Sequence, residues 1–373
     1  MASLLFMAAL ALNLARSAAD FLPVQWGPQS TAGPAEAADH ILIESYESDP
    51  RHLTTQELGS LIESDLASLG SLSIGTVGSG ILLNAVPMPS SPAWEIVNPE
   101  ESWGTAETID FIQIAIAKVR ELYPESPPLG IGDISLPPGG TLNRHATHQA
   151  GRDVDLGFFY MKGKGWWLAP GNSRNLDLPR NWALVRSLLA LTDVERILLD
   201  WRIQKLIYQY AVSIGEDRDW LDRVFQFSKG VKEAVIQHVK GHLTHYHVRF
   251  YSLRAQELGR RAYPHLLRLK KINPPVFTVS HRVRSGETLS SLARRYGTSV
   301  RSIQKANSLS GSLVVAGRTY RIPCKGVAAP PGDRLSLAAR LIPPLTPQQL
   351  AAVDWPGAPP VLGLNQEKLS SFR

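Results

Sequence analysis

The chain has 373 residues and a formal net charge of +6, which is enough length for one large domain and one small domain. Its single cysteine excludes an intrachain disulfide and a metal site built from thiolates. Lysine and arginine are spread along the chain without a basic block, so no nucleic-acid partner is expected; the mild positive charge suits an anionic partner such as a cell-wall polymer.

The first 19 residues resemble a secretory signal peptide. Leu4 to Leu12 form a short apolar run, and small residues follow at positions 17 to 19, although no lysine or arginine precedes the run. We expect residues 1–19 to direct export to the periplasm or cell envelope, and residues 20–69 to form a linker and N-terminal extension. No other run approaches the roughly 18 apolar residues that span a bilayer, so no transmembrane helix is expected in the mature chain.

Short strands around one long helix are predicted up to residue 140. Ser71–Val86 mixes β-forming residues with glycines, which is typical of short strands and turns. Apolar residues recur at steps of three and four in Thr105–Tyr123, which predicts an amphipathic helix that ends at the prolines from Pro124 onward. The segment GDISLPPGG, residues 132–140, is predicted to be a strand running into a turn.

Two more helices and two strands are predicted before residue 272. The helices are Asn181–Leu191 and Arg202–Ile214, and they flank a short apolar strand at Arg196–Leu199. Lys240–Tyr251 alternates polar and apolar residues and is predicted to be a strand. Two consecutive prolines at positions 274 and 275 then mark a domain boundary.

The first cluster of chemically reactive residues lies in RHATHQAGRDVDLGFFY, residues 144–160. Asp153 and Asp155 are two positions apart, so on a strand both carboxylates lie on one face and the apolar neighbours lie on the other. His145 and His148 stand just before them, in a loop that can fold back on that face. The aromatic residues that follow, above all Trp166 and Trp167, are expected near a substrate cleft.

A second cluster lies in GHLTHYHVRF, residues 241–250, where His245 and His247 share one strand face and His242 comes a turn earlier. Five of the ten histidines thus fall in two clusters, and burying so many ionisable groups is costly unless they are paired or bind a cation. Zinc suits this set, because catalytic zinc takes about three histidine or carboxylate ligands and a water. The spacing alone leaves open which histidine and which aspartate bind it.

HATHQAGRDVD together with HLTHYHVR resembles the penicillin-insensitive murein endopeptidases. These belong to a wider group of zinc peptidases with the D-alanyl-D-alanine carboxypeptidases, lysostaphin and the hedgehog signalling domain. The group's signature is a histidine seven residues before an aspartate, followed later by His-x-His. His148 and Asp155 satisfy the first part and His245 and His247 the second, and the resemblance extends over about residues 70–265.

The resemblance implies an α+β fold with a central antiparallel sheet and flanking helices. It implies one catalytic Zn²⁺ held by His148, Asp155 and His247, with His245 as the catalytic histidine. His145 and His242 match further histidines that line the site. Asp153 is expected to orient a ligand, or alternatively to pair with Arg152 or Arg249.

Residues 281–323 resemble a LysM module, which binds glycans that contain N-acetylglucosamine. The pattern predicts a βααβ unit, with a first helix capped by Thr288 or Ser285 and ended by Gly297, and a second helix at Ser299–Asn307. Which residues bind the glycan is unknown within 281–323. The residues that carry the resemblance are Val283, Gly286, Thr288, Leu289, Ala293, Tyr296, Asn307, Leu313, Gly317 and Ile322.

The predicted order is therefore a signal peptide, a linker and N-terminal extension, a zinc murein endopeptidase domain at 70–272, a LysM module at 276–324 and a Pro/Ala-rich tail at 325–373. The implied reaction is hydrolysis of peptidoglycan cross-links, most simply the D-alanyl-diaminopimelyl bond. The rivals are a non-hydrolytic zinc-bearing scaffold that binds or regulates the wall, and a D,D-carboxypeptidase.

Overall fold

A computed structural model describes residues 50–142, 145–162, 165–226, 234–326 and 339–344. The predicted signal peptide and most of the predicted tail lie outside these residues. The helices are α1 (Thr55–Ser64), α2 (Ala106–Leu122), α3 (Leu178–Leu191), α4 (Trp201–Ser213), α5 (Arg218–Val224), α6 (Leu253–Arg268), α7 (Leu289–Arg295) and α8 (Val300–Ala306). The strands are β1 (Leu72–Thr76), β2 (Ser79–Leu83), β3 (Val86–Pro87), β4 (Trp94–Ile96), β5 (Trp103–Gly104), β6 (Leu129–Ile131), β7 (Asp153–Gly157), β8 (Val194–Leu199), β9 (Ile236–His238), β10 (His245–Phe250), β11 (Val276–Arg282) and β12 (Thr319–Lys325).

A six-stranded sheet organises the larger domain, in the order β4-β6-β7-β10-β8-β9. The four central strands pair antiparallel, whereas β4 pairs with β6 and β8 pairs with β9 in parallel. The predicted α+β class is confirmed. The prediction of an antiparallel sheet holds for its centre, and only the two edge pairs run parallel.

The two faces of β7 and β10 have opposite characters, as the alternating sequence requires. The apolar face packs on helices: the hydroxyl of Tyr246 donates to Asn181 Oδ1 of α3 at 2.8 Å, and Phe250 contacts Phe111 of α2 with ring centroids 5.5 Å apart. The other face carries the aspartates and histidines. Side chains that are fully buried on the apolar face are Val154, Leu156, Tyr246 and Val248.

The helices begin where short polar residues can accept the first free backbone N–H groups. Thr105 accepts from the amide of Thr108 at 3.1 Å and starts α2, as the sequence predicted within a residue. Asp177 and Asp200 cap α3 and α4 in the same way. Both helices begin slightly earlier than predicted.

Two predicted strands have different bounds in the structure. The strand expected at 132–140 is instead Leu129–Ile131. Gly132 and Asp133 still exchange backbone hydrogen bonds with Asp155, but beyond them Ser135 forms only an isolated bridge with Ser102. The strand predicted at 240–251 is shorter, and residues 240–244 form a turn before β10.

The described part of the segment predicted as a linker and extension is folded. Residues 50–69 contain α1, whose N-cap Thr54 and Glu57 form a reciprocal capping box. The apolar face of α1 packs against β1 and α6, so this segment belongs to the same core as the larger domain and is not a linker. The buried residues of this cluster are Leu58, Ile62, Leu69, Leu72, Ile74, Leu258, Ala262 and Leu266.

The C-terminal module has the predicted βααβ order, with β11 and β12 antiparallel and α7 and α8 between them. Thr288 caps α7, and Ser299 caps α8. Leu289, Leu292, Ile303 and Ile322 form its small core.

A short stretch of the predicted tail, residues 339–343, lies against the larger domain. The backbone carbonyl of Leu341 accepts from Trp220 Nε1 at 3.0 Å, and Arg340 pairs with Asp193 at 3.3 Å. This stretch is therefore docked. No helix among the described residues is both long and apolar enough to cross a membrane.

Candidate metal centre

The pairing of β7 with β10 brings the two predicted clusters together. His247 lies opposite Asp155, and Arg249 lies opposite Asp153 in the antiparallel register. Cross-strand neighbours share a face, so these four side chains project to the same side of the sheet. His148 reaches this side from the preceding loop.

Three side-chain atoms form a nearly equilateral triangle on this face. His148 Nε2 lies 3.3 Å from Asp155 Oδ1, His247 Nδ1 lies 3.1 Å from the same oxygen, and the two nitrogens are 3.2 Å apart. Ligands about 2.0–2.1 Å from one tetrahedral ion are separated by about 3.3 Å. The triangle therefore has the dimensions of three ligands around one zinc-sized cation.

The loop that carries His148 is tightly held. His148 has a left-handed φ of 65°, its amide donates to Asp153 Oδ2 at 3.2 Å, and its Nδ1 lies 3.1 Å from the carbonyl oxygen of Ile134. A carbonyl only accepts, so the Nδ1 proton is directed to Ile134 and the Nε2 lone pair faces the triangle. This is the tautomer that a metal ligand needs.

The centre also contains buried polar atoms to which the described residues make no hydrogen bond. Among the described residues, Asp155 Oδ1 and His247 Nε2 have no hydrogen-bond partner. An unpaired buried carboxylate oxygen is costly, and a bound cation would compensate it. This observation, together with the donor set, fits a metal ion.

Charge coupling within the cluster is strong. Burial alone would raise the pKa of Asp155, but the close imidazoles of His148, His247 and His245 hold that pKa well below its usual value. Burial opposes a charge on His247, yet Asp153 and Asp155 raise the pKa of this imidazole to about 9. Two carboxylates thus draw positive charge to this point, where either a proton or a metal cation can supply it.

Asp153 lies behind the triangle and links it to Arg249. Its Oδ1 accepts from Arg249 Nε at 2.7 Å, while its Oδ2 lies 3.5 Å from His247 Nε2. Two of the roles considered for Asp153 are therefore geometrically compatible, since it pairs with Arg249 and faces a candidate ligand. Arg152, the other partner considered, lies 3.5 Å from Glu195.

His245 and His242 flank the triangle. His245 Nε2 lies 3.7 Å from Asp155 Oδ1, close to the centre but outside the tight triangle, and its Nδ1 lies 2.9 Å from the hydroxyl of Thr244. The His242 ring is 5.4 Å from that of His245. Burial, together with positive charge on neighbouring histidines, lowers the pKa of both imidazoles, to about 4 for His242.

His145 also reaches the centre, through a partner that the sequence analysis did not identify. Its Nε2 lies 2.7 Å from Asp133 Oδ2, and its Nδ1 lies 4.0 Å from Asp155 Oδ2. Asn98 holds the other Asp133 oxygen at 2.7 Å. No local sequence signal marked Asp133, which lay inside the stretch predicted to be a strand.

Trp167 borders the same face. Its indole stacks on the His245 ring with centroids 6.2 Å apart and an interplanar angle of 30°, whereas the neighbouring Trp166 is exposed. The expectation that this pair lies near the site therefore agrees with the position of Trp167.

Two segments of the chain match known families. Residues 73–166 match the penicillin-insensitive murein endopeptidase family, and residues 281–323 match the LysM domain, which confirms both resemblances. The first match contains His145, His148, Asp153 and Asp155, and the fold adds the later histidines of β10 to them. Among curated proteins, none matches this chain significantly.

The fold, the buried His/Asp centre and the matches define a peptidase-type domain followed by a cell-wall-binding module. The two matches together support a hydrolase that acts on peptidoglycan and binds the cell wall.

Proposed function

We propose that this protein is a zinc-dependent endopeptidase that cuts peptide cross-links of peptidoglycan, with the D-alanyl-diaminopimelyl bond as its substrate. The observation that carries this proposal is the triangle of His148 Nε2, Asp155 Oδ1 and His247 Nδ1, whose carboxylate corner is a buried oxygen without a hydrogen-bond partner. We assign these three residues as the ligands of one Zn²⁺. When bound, zinc supplies a Lewis acid for the scissile carbonyl and a nucleophilic water at neutral pH.

His245 is placed to move a proton or to stabilise negative charge beside the ligands. Its Nε2 faces the centre, and Thr244 holds its Nδ1. Because burial lowers its pKa, the ring is neutral at neutral pH and can accept a proton. His145 and His242 line the site, and Asp153 orients His247 through the ring edge that faces away from the triangle.

The LysM module supports the same substrate class. A glycan-binding module joined to a peptidase raises the concentration of cross-links near the centre, since both act on one polymer. We therefore propose peptidoglycan as the partner, and a location in the periplasm or cell envelope after export.

Digestion of cross-linked dimeric muropeptides tests this proposal. The purified protein should convert dimers to monomers, a chelator should abolish the conversion, and stoichiometric Zn²⁺ should restore it. Persistence of the dimers in the presence of one bound zinc would instead support a wall-binding scaffold. Release of free D-alanine without loss of dimers would identify a D,D-carboxypeptidase.

A further inference from the structure

Three glycines form a flat bed beside the candidate metal centre. Gly130 lies within β6, Gly132 directly follows that strand, and Gly157 lies in β7 directly opposite His245. A Cβ on Gly132 would lie 3.2 Å from the Cβ of Asp155, so the bed occupies the face that carries the ligands. We call these three residues the glycine bed.

The indole of Trp167 fills the glycine bed. A Cβ on Gly132 would come within 2.3 Å of the ring, and one on Gly130 within 2.9 Å. None of the three glycines has a left-handed φ, so the backbone conformation does not require glycine at these positions. The close approach of the tryptophan ring does require glycine at Gly130 and Gly132, whereas a Cβ on Gly157 would lie 3.4 Å from the ring, an ordinary contact distance.

The indole ring of Trp167 stacks on the imidazole ring of His245. Its plane is inclined by 30° to the imidazole, an offset stacking arrangement within the range of favourable aromatic pairs. Among the described residues, Thr244, at 2.9 Å, is the only hydrogen-bond partner of the His245 ring, and one bond alone does not fix the orientation of an imidazole. Stacking limits this rotation.

The conformation and hydrogen bonds of the residues that follow Trp167 restrict the position of its backbone. Leu168, the next residue, has a left-handed φ of 62°, which is unfavourable for leucine and turns its own side chain toward solvent. The hydroxyl of Tyr160 donates to the carbonyl of Ala169, and the amide of Gly171 donates to the carbonyl of Leu243 at 2.7 Å. The chain is therefore fastened just after the tryptophan.

We propose that Trp167 is a positioning residue that holds the His245 imidazole in its orientation over Asp155, and that the glycine bed exists to seat its indole. The expected effect on kcat rests on the proposed function. The structural part of the inference, the orientation of His245, does not depend on the substrate.

The test combines Trp167→Ala, Trp167→Phe and Gly130→Ala. Gly130 is the better glycine to change, because a Cβ on Gly132 would also press on Asp155. Trp167→Ala should lower kcat about 10- to 100-fold, as expected when a reacting group is misplaced by about 1 Å, with KM little changed. Trp167→Phe should restore most of the activity. Gly130→Ala should lower kcat by displacing the ring, yet have no further effect in the Trp167→Ala background.

Two readouts do not involve catalysis. Bound zinc should remain stoichiometric in every variant, and the His245 ring C–H resonances should shift in Trp167→Ala, since the indole ring current is lost. Met161→Ala, an exposed change in the same loop, is the control that should alter neither. The resonance test is informative even if the wild-type protein cleaves no muropeptide.

The proposal is overturned if Trp167→Ala raises KM with kcat unchanged, which is the signature of a substrate-binding wall. It is also overturned if that variant loses zinc, if the His245 resonances stay in place, or if the Gly130→Ala and Trp167→Ala effects add.

Discussion

Asp153 and Arg249 form a cross-strand ion pair directly behind the candidate metal centre. Arg249 Nε and a terminal nitrogen donate to the two carboxylate oxygens at 2.7 and 3.3 Å, and the Asp153 side chain is fully buried. Burial opposes the charge on Asp153, but His247 and Arg249 hold the pKa of the carboxyl below its usual range.

Arg249→Met should destabilise the fold by about 3 kcal/mol, because it leaves a buried carboxylate without its counter-charge. Denaturant unfolding of the metal-free protein measures this change. The matched control is Arg268→Met, which removes an exposed ion pair with Glu63 and should cost less than about 1 kcal/mol. Equal losses in the two variants would contradict the structural role of the Asp153–Arg249 pair.

His148→Ala and His245→Ala should separate metal binding from turnover. The first removes a corner of the triangle and should abolish zinc binding and activity together. The second should keep most of the zinc but lower kcat about 10²- to 10⁴-fold, the range for loss of a general acid or base. Metal analysis beside a muropeptide digest tests both, and similar zinc loss in both variants would refute the assigned roles.

Asp133→Asn should reduce turnover about tenfold with little change in bound zinc, because His145 loses a charged partner that orients it. A double-mutant cycle with His145→Ala measures the coupling. If the two effects add, Asp133 does not act through His145.

Acid should weaken the LysM module through Glu287. A backbone hydrogen bond from Arg284, with His281 and Arg295, lowers its pKa to about 2 from a usual value near 4.5. A lowered carboxyl pKa contributes stability that is present above about pH 4.5 and is lost as the pH falls toward 2. The methyl resonances of Leu292 and Ile322 should therefore report unfolding at lower urea at pH 3 than at pH 6. Glu287→Gln should show a smaller difference between these two pH values.

The sequence predicted the parts of the site that follow from strand periodicity. Residues two apart on a strand share a face, so Asp153 with Asp155 and His245 with His247 could be placed as pairs without coordinates. The antiparallel register that sets His247 opposite Asp155 depends on which strands become neighbours, and local pattern does not encode that choice.

Other features were missed because they depend on contacts between distant residues. Asp133 stands 12 positions before His145 in a stretch predicted to be a strand, and nothing local marks it as a partner. Gly130 and Gly132 read as ordinary turn or strand glycines until the indole of Trp167 is placed on them. Residues 50–69 look like an extension, but their apolar positions find partners on α6, about 200 residues later.

The left-handed backbone at His148 opposes the stability of the fold to the proposed metal-binding role of this residue. That conformation costs a non-glycine residue on the order of 1–2 kcal/mol, and glycine would adopt it freely. Selection for thermal stability alone would thus favour glycine here, whereas the proposed role of His148 as a metal ligand requires that the strained histidine be retained and that stability be gained elsewhere in the fold.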